Sequence, residues 1–510
     1  MKKAISVLLA LVLMLACVSA FADDTAAATP KYVFMFIGDG MGSPQVTATQ
    51  YYLGAVENPD SVVPTPAELS FTEWKNVGLM TTYDATSFNP DSASTASSMA
   101  SGEKIPSGAI NYSYEVATAD NTTEDAVLDK TGKFVLTDTT KIITEYVHEA
   151  GMKVGVISSV SLNHATPAAY YAKQQSRNDY YEIGVQAFTG GILDFLGGGN
   201  LKKMTVEGKP GTEDLAAEYG WTIVNTLEGF ESIAADQAPV LADNPDIADD
   251  SAMAYEIDRV RREGEGETIL SLSDIVKAGI TVLDNEDGFF MMVEGGKIDW
   301  AGHANDAATS IYDTIAFSDA VQVALDFAAE HADETLIIVT GDHETGGMTI
   351  GFATTAYDTH FNYLQNQTVS FTTFSEMVAE MRDNGATFED ALATIETYYG
   401  LTAEADQDLT LTEADLATLE AAFEISMTPS DERTLGDAET LLYGGYEPLS
   451  MAVSHIINNK AGLSYTSYAH TGLQIPVYAY GVQADLFNGM YDNTDIFFKT
   501  MEAMGLTVAE

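Results

Sequence analysis

Aspartate, glutamate and histidine residues follow several apolar runs of this sequence, at the points where the runs end. Asp39 comes directly after one run, and Glu294 ends a second. Asp342 and His343 follow a third. Carboxylates and imidazoles together are ligands of zinc in proteins, while carboxylates with hydroxyl groups and water suit magnesium. Each acidic residue alone is a weak signal, because aspartate is also common in ordinary turns.

A further pair, Asp299 and His303, lies four residues apart. In a helix this spacing places both side chains on one face, where they can share a divalent metal. His470 stands alone shortly before Gly472, a context in which a histidine is more often structural than a ligand. The coincidence of all these residue types at strand ends makes a metal centre the stronger interpretation.

A candidate nucleophile stands in the segment Asp-Ser-Ala-Ser-Thr-Ala at 91–96. Small helix-forming residues continue to Met99, so we predict Ser92 at the start of a helix. Backbone N–H groups and the helix dipole favour an anion at that position. The alternative is that Asp91 or Ser92 only caps the helix.

The other histidines have no partner pattern in the sequence. We therefore assign them structural roles: His148, His331, His360 and His455.

The elements that must position the candidate residues are alternating apolar strands and helices. We predict strands at 32–37, 77–82, 153–158, 289–293, 336–340 and 477–482, and helices at 140–150, 269–283 and 304–330. This alternation indicates an α/β fold with a large, mostly parallel central sheet between helices. Ligands of such sheets bind at the carboxyl ends of the strands, which is where the candidate residues lie.

The segment 354–446 is strongly acidic and lacks this alternation. It contains several short helical patterns, one of which begins at a capping box formed by Thr412 and Asp415. We interpret the segment as an insertion in the main domain, and long insertions of this kind are often functional. It is a surface excursion, a lid or a dimer arm, and of these we favour contact with a second copy.

Residues 1–22 have the composition of a secretory signal peptide. A basic start precedes an apolar run from 4 to 18, and Ala20 to Ala22 offer a small-residue cleavage site. The run is too short to span a bilayer, so we expect cleavage and no stable membrane anchor. A lipid-modified Cys17 is the weaker alternative. We therefore expect a periplasmic or extracellular protein whose mature chain is 23–510.

The chain is strongly acidic, with 76 Asp and Glu against 23 Lys and Arg and a net charge of −53. This balance excludes a nucleic-acid-binding surface, which needs clustered basic residues. Self-repulsion of this size is screened by salt. Adaptation to saline surroundings and simple solubility explain the charge equally well.

As a set, six motifs of the sequence resemble those of the alkaline phosphatase family. They are I-G-D-G-M-G at 37–42, D-S-A-S-T-A at 91–96, H-A-T-P-A at 164–168, E-G-G-K-I-D-W-A-G-H at 294–303, G-D-H-E at 341–344 and H-T-G at 470–472. The similarity runs from Tyr32 to about Gly481. It implies one alkaline-phosphatase-like α/β domain over 23–510, with 354–446 inserted in it as a crown or dimer arm of a homodimer.

The resemblance also implies a role for each candidate residue. Ser92 is the implied nucleophile, Arg177 is the phosphate clamp, and Asp91 steadies the clamp. The implied ligands are Asp299, His303 and His470 for a first Zn²⁺, Asp39, Asp342 and His343 for a second Zn²⁺, and Asp39, Thr166 and Glu294 for a Mg²⁺. Asp39 would then bridge two metals.

Three positions differ from patterns seen in parts of that family. His164 and Trp300 flank the implied magnesium and phosphate sites, where one well-known branch has Asp and Lys. Trp300 brings no ammonium group to the phosphate and is a candidate substrate-binding residue. His164 is a candidate ligand of the third metal, whose identity the sequence leaves open. Thr345 replaces a histidine of some relatives, and we expect little effect from it.

The resemblance implies a secreted hydrolase of small-molecule phosphate monoesters. It would work through a phosphoserine intermediate and an in-line displacement between two zinc ions. A phosphodiesterase of the same superfamily is the nearer alternative. A sulfatase is disfavoured because Ser92 lacks the required sequence context, and a signal peptide disfavours a phosphomutase. From another class, an acidic metal-binding surface protein explains the charge and the export but not the clustered histidines.

Overall fold

The computed structural model describes residues 28–59, 61 and 63–508. The predicted signal peptide at 1–22 lies outside the described residues. Across the part of the chain that is described, no helix is both long enough and apolar enough to cross a membrane.

A ten-stranded sheet forms the centre of the molecule, in the order β16-β2-β15-β10-β1-β9-β5-β6-β8-β7. Its strands are β1 Tyr32–Gly38, β2 Asn76–Thr81, β5 Lys153–Ser158, β6 Phe195–Gly198, β7 Thr222–Val224, β8 Val240–Asp243, β9 Phe289–Glu294, β10 Thr335–Gly341, β15 Ile475–Gly481 and β16 Gly489–Asp492. Three strand pairs lie outside it: β3 Tyr112–Val116 with β4 Phe134–Thr139, β11 Glu344–Thr345 with β14 His470–Thr471, and β12 Thr349–Ile350 with β13 Leu463–Ser464.

Helices cover the sheet and form a separate helical layer. They are α1 Ser43–Glu57, α2 Ser92–Ser101, α3 Ile143–Glu149, α4 Ala165–Ala168, α5 Tyr180–Thr189, α6 Thr212–Tyr219, α7 Leu227–Glu231, α8 Glu256–Gly264, α9 Leu272–Leu283, α10 Lys297–His303, α11 Ala307–Glu330, α12 Phe371–Asn384, α13 Phe388–Tyr399, α14 Glu413–Ser426, α15 Asp437–Tyr443, α16 Pro448–Ala461 and α17 Asp495–Ala503. Short 3₁₀ turns occur at Asp249–Ser251, Phe361–Asn366 and Ala484–Phe487.

The predicted α/β class with a mostly parallel sheet is confirmed. β1 pairs in parallel with both β9 and β10, while β15 runs antiparallel to its neighbours β10 and β2. Every residue of β1, β9 and β10 is buried, which explains their continuous apolar runs. In the register of these strands Ile37 lies beside both Thr340 and Glu294. The residues that follow these strands therefore meet at one edge of the sheet.

Side chains of β1 alternate between the two faces of the sheet. Phe34 and Phe36 pack in one core with residues of α9 and α11, including Phe317. Met35 and Ile37 pack in the opposite core with residues of α2 and α3. Full burial of each such side chain contributes about 1.5–3 kcal/mol, so the two cores fix the strand that presents Asp39.

The segment 354–446 folds into the helices α12 to α15, which pack with α16 around a third apolar core. The predicted capping box is confirmed at the start of α14, where the Thr412 hydroxyl accepts from Asp415 N at 3.1 Å. Residues of α1 and α11 belong to the same core, so the segment is joined to the main domain by apolar packing. A role as dimer arm or lid stays a prediction.

Candidate metal centre

The candidate ligands lie together in three clusters at the carboxyl edge of the sheet. Within each cluster, one ligand atom from each residue lies within 4.8 Å of the others. The clusters are Asp299 with His303 and His470, Asp39 with Asp342 and His343, and Asp39 with His164 and Glu294. Asp39 belongs to the second and third clusters, as a bridging ligand would.

The first cluster forms where α10 faces the short strand β14. One turn of α10 separates Asp299 from His303, and His303 Nε2 lies 3.4 Å from Asp299 Oδ2. His470 Nε2 lies 3.4 Å from Asp299 Oδ1 and 3.1 Å from His303 Nε2. The isolated histidine of the sequence is thus brought into contact with the helical pair.

Backbone carbonyls define the tautomers of these two histidines. Nδ1 of His303 lies 2.6 Å from the Tyr468 carbonyl oxygen, and Nδ1 of His470 lies 2.6 Å from that of Pro90. When Nδ1–H donates to a carbonyl, the neutral ring has an unprotonated Nε2. Both Nε2 atoms lie beside Asp299, so each is available to a metal in the way that zinc-binding histidines require.

The second cluster lies at the ends of β1 and β10 and is fully buried. His343 Nε2 lies 3.3 Å from Asp39 Oδ1 and 3.3 Å from Asp342 Oδ2. The Asp342 carboxylate also accepts hydrogen bonds from Gly40 N at 3.2 Å and Thr95 Oγ1 at 3.0 Å. These bonds hold one carboxylate oriented beside the histidine.

Ser92 begins α2 and faces the second cluster. Its hydroxyl oxygen lies 3.2 Å from His343 Nε2 and 3.5 Å from Asp39 Oδ1. Asp91 is the N-cap of the helix and accepts a hydrogen bond from Ser94 N at 3.1 Å. The capping interpretation is therefore right for Asp91, while the Ser92 hydroxyl is directed at candidate metal ligands.

The third cluster lies where β9 ends beside α4. Thr166 Oγ1 donates to Asp39 Oδ2 at 3.1 Å, and Ser158 Oγ donates to Glu294 Oε2. His164 Nδ1 and Glu294 Oε1 are buried and, within the described chain, have no hydrogen-bond partner. The unpartnered Glu294 oxygen, buried in the same cluster as Asp39, fits a bound cation, because buried polar atoms are otherwise almost always paired.

The Arg177 guanidinium lies between Asp91 and His164. Nη1 donates to Asp91 Oδ2 at 3.3 Å, and Nη2 lies 3.2 Å from His164 Nε2. The other Asp91 oxygen accepts from Gly108 N at 3.0 Å. Asp91 thus contacts the guanidinium as predicted. The contact with His164 was not predicted, and it connects the third cluster to the candidate phosphate clamp.

The site opens to solvent on one side. Ser92 is 1% exposed, whereas the side chains of His303 and Arg177 are 26% and 21% exposed. Solvent therefore reaches His303 and Arg177, whereas Ser92 lies beneath the surface.

Trp300 lies at the rim, beside His164, with ring centroids 5.9 Å apart at 77°. The preceding lysine, Lys297, is buried and pairs with Asp249 Oδ1 at 2.8 Å. Its ammonium group also lies over the rings of Tyr255 and Trp300, at 3.6 and 4.7 Å from their centroids. The lysine of this motif therefore lies inside the protein, where its ammonium group contacts the ring of Trp300.

Burial and mutual repulsion raise the pKa values of the carboxyl groups in the second and third clusters. Burial, with Asp342 and Asp299 close by, raises the pKa of Asp39 to about 8. Burial and the charge of Asp299 raise the pKa of Asp342 to about 6, and burial with Asp39 raises the pKa of Glu294 far above its usual value. Carboxylates in such surroundings ionise readily only with cations between them, so the donor set fits divalent metals.

In the first cluster, attraction between opposite charges outweighs burial and lowers the pKa of the carboxyl group. Burial raises the pKa of Asp299, but the charges of His303 and His470 outweigh it and hold this pKa well below its usual range. Burial lowers the pKa of His470, but the hydrogen bond and charge of Asp299 raise it to about 9. Burial, and then His470, lower the pKa of His343 to about 3, which keeps that imidazole neutral.

Thr345 takes a larger part in the site than the sequence suggested. Its hydroxyl donates to Asp299 Oδ1 at 2.5 Å and lies 3.3 Å from His343 Nδ1. It therefore contacts one residue of each of the first two clusters. Sequence reasoning also missed Thr95 and Ser158, whose hydroxyl groups lie at a helix start and a strand end like those it did select.

The four histidines predicted to be structural lie outside the three clusters. His331 stacks on Phe327, and His360 stacks on Tyr363. His148 is exposed near the end of α3, and His455 Nε2 lies 3.2 Å from Asn305 Oδ1.

The fold and the site together define an α/β protein with three candidate metal-binding clusters beside a serine at a helix start. Comparison with known proteins identifies the family within this class. The model of the family described as alkaline phosphatase matches residues 30–203 and 246–506. The chain belongs to the alkaline phosphatase family, and it is accordingly a metal-dependent phosphatase of the hydrolase class.

Characterised relatives cover nearly the whole chain. Alkaline phosphatase 4 of Bacillus subtilis (strain 168) is 29% identical over 485 residues, which are 92% of this chain and 89% of that protein. The crystal structure of a cold-active alkaline phosphatase from the psychrophile Shewanella sp. is 26% identical and has a TM-score of 0.71, over 93% of this chain and 99% of that one. A TAB5 alkaline phosphatase mutant with Mg bound in the M3 site is 25% identical with a TM-score of 0.60, over 94% of this chain and 100% of that one.

Proposed function

We propose that this protein hydrolyses phosphate monoesters by transferring the phosphoryl group first to Ser92 and then to water. The observation that carries the proposal is the position of the Ser92 hydroxyl, at a helix start and within 3.5 Å of both His343 and Asp39. A helix start favours an anionic phosphate, and the adjacent cluster can hold a metal against the same oxygen.

The first step forms a bond between Ser92 Oγ and phosphorus while the bond to the ester oxygen breaks. The second step forms a bond between a water oxygen and phosphorus, breaks the Ser92 bond and releases inorganic phosphate. Bound metals supply the positive charge that favours the ionised serine and stabilises the phosphoryl oxygens. In both steps Ser92 is held at the start of α2, where the helix dipole favours the phosphate anion.

Arg177 binds the phosphoryl oxygens in this proposal. A guanidinium presents two parallel N–H groups, which suit two oxygens of one phosphate. Burial lowers the pKa of Arg177, but Asp91 outweighs this effect and raises it, so the charge is retained. Asp91 orients the guanidinium, and the exposed face of Arg177 is left for the substrate.

Two Zn²⁺ and one Mg²⁺ are the proposed cofactors. The first and second clusters each combine histidine with carboxylate, which suits zinc. The third cluster has Asp39, Glu294 and the Thr166 hydroxyl, which suit magnesium. His164 is the further candidate ligand; it would bind through an unprotonated Nδ1, whereas its contact with Arg177 favours a proton on that nitrogen. The Mg site of the TAB5 mutant supports magnesium at a third site in a related fold.

Monoesters are the proposed substrates because the site is built around a terminal phosphate. Asp91 caps the helix that begins at Ser92 and pairs with Arg177, which also contacts His164 of the third cluster. A monoester presents three free oxygens to these groups, whereas a diester must place a second organic substituent among them. A phosphodiesterase is the alternative that the experiment below decides.

The test compares turnover of a chromogenic monoester and the matching diester by the zinc- and magnesium-loaded protein. We expect a preference for the monoester, loss of most turnover in Ser92→Ala, and loss on chelation that zinc restores. Ser98→Ala is the matched control, because it removes a buried hydroxyl from the same helix that only contacts the backbone of Ser94. Equal or faster diester hydrolysis would overturn the substrate assignment, and full turnover by Ser92→Ala would overturn the mechanism.

We also propose that the protein is exported through residues 1–22 and acts as a homodimer in the periplasm or outside the cell. The composition of the leader and the helical segment 354–446 support these proposals. An N-terminus found at Asp23 on the mature protein and a dimer mass in sedimentation are the expected results. A monomer at micromolar concentration would refute the dimer.

A further inference from the structure

Positive charge is scarce in this chain, yet two of its cations lie beside Asp91 at the candidate site. The chain has 23 Lys and Arg against 76 Asp and Glu. Lys130 Nζ lies 3.5 Å from Asp91 Oδ2, the same oxygen that accepts from Arg177 Nη1 at 3.3 Å. Two cations of different residues therefore flank one carboxylate oxygen at the proposed phosphate position.

Lys130 remains accessible while it makes this contact. Its side chain is 55% exposed, whereas that of Asp91 is 14% exposed. The distance of 3.5 Å is long for a charge-assisted hydrogen bond, and water around the exposed lysine end screens the pair. The ammonium group is thus free to bind a second anion next to the phosphate held by Arg177.

The loop between β3 and β4 holds Lys130 in place. The Asp129 carboxylate accepts hydrogen bonds from the N–H groups of Thr131, Lys133 and Phe134 at 2.8–2.9 Å. The aliphatic stem of Lys130 lies over Gly108, since a Cβ added there would be 3.2 Å from Lys130 Cδ. These contacts hold the loop backbone beside Lys130 and place the stem of its side chain over Gly108.

Resting on the phosphatase function proposed above, we propose that Lys130 is a specificity residue for esters whose leaving group bears a second anionic group. A phosphate or a carboxylate within a few bonds of the reacting phosphorus would lie beside Lys130 while Arg177 binds the reacting phosphate. In a molecule with a net charge of −53, such a substrate is otherwise repelled, so a positioned cation has a large effect on its capture.

The test uses the metal-loaded full chain and two substrate pairs. The phosphate pair is ethylene glycol bisphosphate against 2-hydroxyethyl phosphate, compared by initial rates, and the carboxylate pair is 2-phosphoglycerate against glycerol 2-phosphate. In Lys130→Gln we expect the ratio of kcat/KM within each pair to fall by about fivefold at low salt. The difference shrinks as sodium chloride approaches about 1 M, because the Debye length falls to about 3 Å. A change confined to one pair identifies which anion the site selects.

Lys133→Gln is the matched control, because it removes the same charge from the same loop at an exposed position away from Asp91. Lys130→Arg retains a cation and should retain most of the selectivity. Ratios that stay at the wild-type value in Lys130→Gln, or that fall equally in Lys133→Gln, overturn the inference. So does an equal loss on both members of each pair, which indicates that Lys130 only steadies Asp91. Failure of the wild type to release phosphate from any of the four compounds instead refutes the proposed function.

Discussion

The hydroxyl of Thr345 contacts candidate ligands of two different clusters. It donates to Asp299 and lies beside Nδ1 of His343, a ring whose Nε2 faces Ser92. Hydrogen bonds of this kind orient metal ligands, and their loss usually weakens metal binding by about 10- to 100-fold.

We expect Thr345→Val to lower the affinity for zinc by at least about tenfold, because valine keeps the shape but cannot donate to Asp299. Thr345→Ser should retain most of the affinity. Competition with a zinc-chelating dye measures the effect, and turnover at limiting zinc gives an independent readout. Thr349→Val on β12 is the control, since its hydroxyl bonds with Ser464 away from the clusters. Zinc binding by Thr345→Val as tight as that of the wild type would refute the role.

Among individual residues, the sequence predicted the candidate ligands but not the hydrogen bonds that orient them. Most ligands follow an apolar run or share a helix face with another, and both signals are local, whereas the roles of His470, Thr166 and His164 came from the family resemblance. Thr345 and Asp299 are 46 positions apart, and the hydrogen bond between them depends on how β11 packs beside α10. The contact of His164 with Arg177 likewise depends on a rotamer that no spacing encodes.

Among the elements, the turn after β1 allows the first two clusters to approach each other. Gly40 has φ +73°, and a Cβ there would lie 2.8 Å from Asp299 Cα and 2.8 Å from Thr345 Oγ1. The turn therefore needs glycine for its backbone conformation and for the close approach of α10.

Gly40→Ala should lower both stability and metal content, because the methyl group must push α10 away from β1. Gly220→Ala serves as the control: Gly220 has φ +77°, but a Cβ there meets nothing within 4 Å. We expect the control to lose about 1 kcal/mol through backbone strain alone and to keep its metals. Thermal unfolding and metal analysis distinguish the two variants. Equal losses in both would mean that the approach to Asp299 is not critical.

The sequence predicted the long buried strands but missed several short ones. The long buried strands β1, β5, β9 and β10 were found, because each is a continuous apolar run with a turn after it. The strands β6, β7 and β8 have only three or four residues and were missed. The direction of β15 was not predictable either, because an apolar run is the same in parallel and antiparallel pairing.

Over the whole molecule, the distribution of charge makes metal binding and protonation compete. In the metal-free protein the pKa of Asp39 is about 8, through burial and the nearby Asp342 and Asp299, and that of His470 is about 9. Both groups therefore hold protons at pH 7. A cation bound at the first two clusters must displace these protons.

We expect zinc affinity to rise with pH between about 6 and 9, by about tenfold per pH unit for each displaced proton. The affinity rises with pH because protons occupy Asp39 and His470 below their raised pKa values and leave these ligands at higher pH. The same shift at Asp39 means that the metal-free protein loses stability as pH rises from about 4 towards 8. Calorimetry in buffers of different ionisation enthalpy counts the released protons. A heat of zinc binding at pH 7 that is the same in every buffer would contradict the linkage.

His470 comes from β14, after the whole helical segment 354–446, whereas the other candidate ligands come from residues 39 to 343. A polypeptide cut anywhere between these regions keeps the donors of the second and third clusters and loses one donor of the first. Under the proposed zinc assignment, occupancy of the first cluster would report whether the C-terminal part of the chain has docked, and partly filled molecules would mark nicked or unfinished copies.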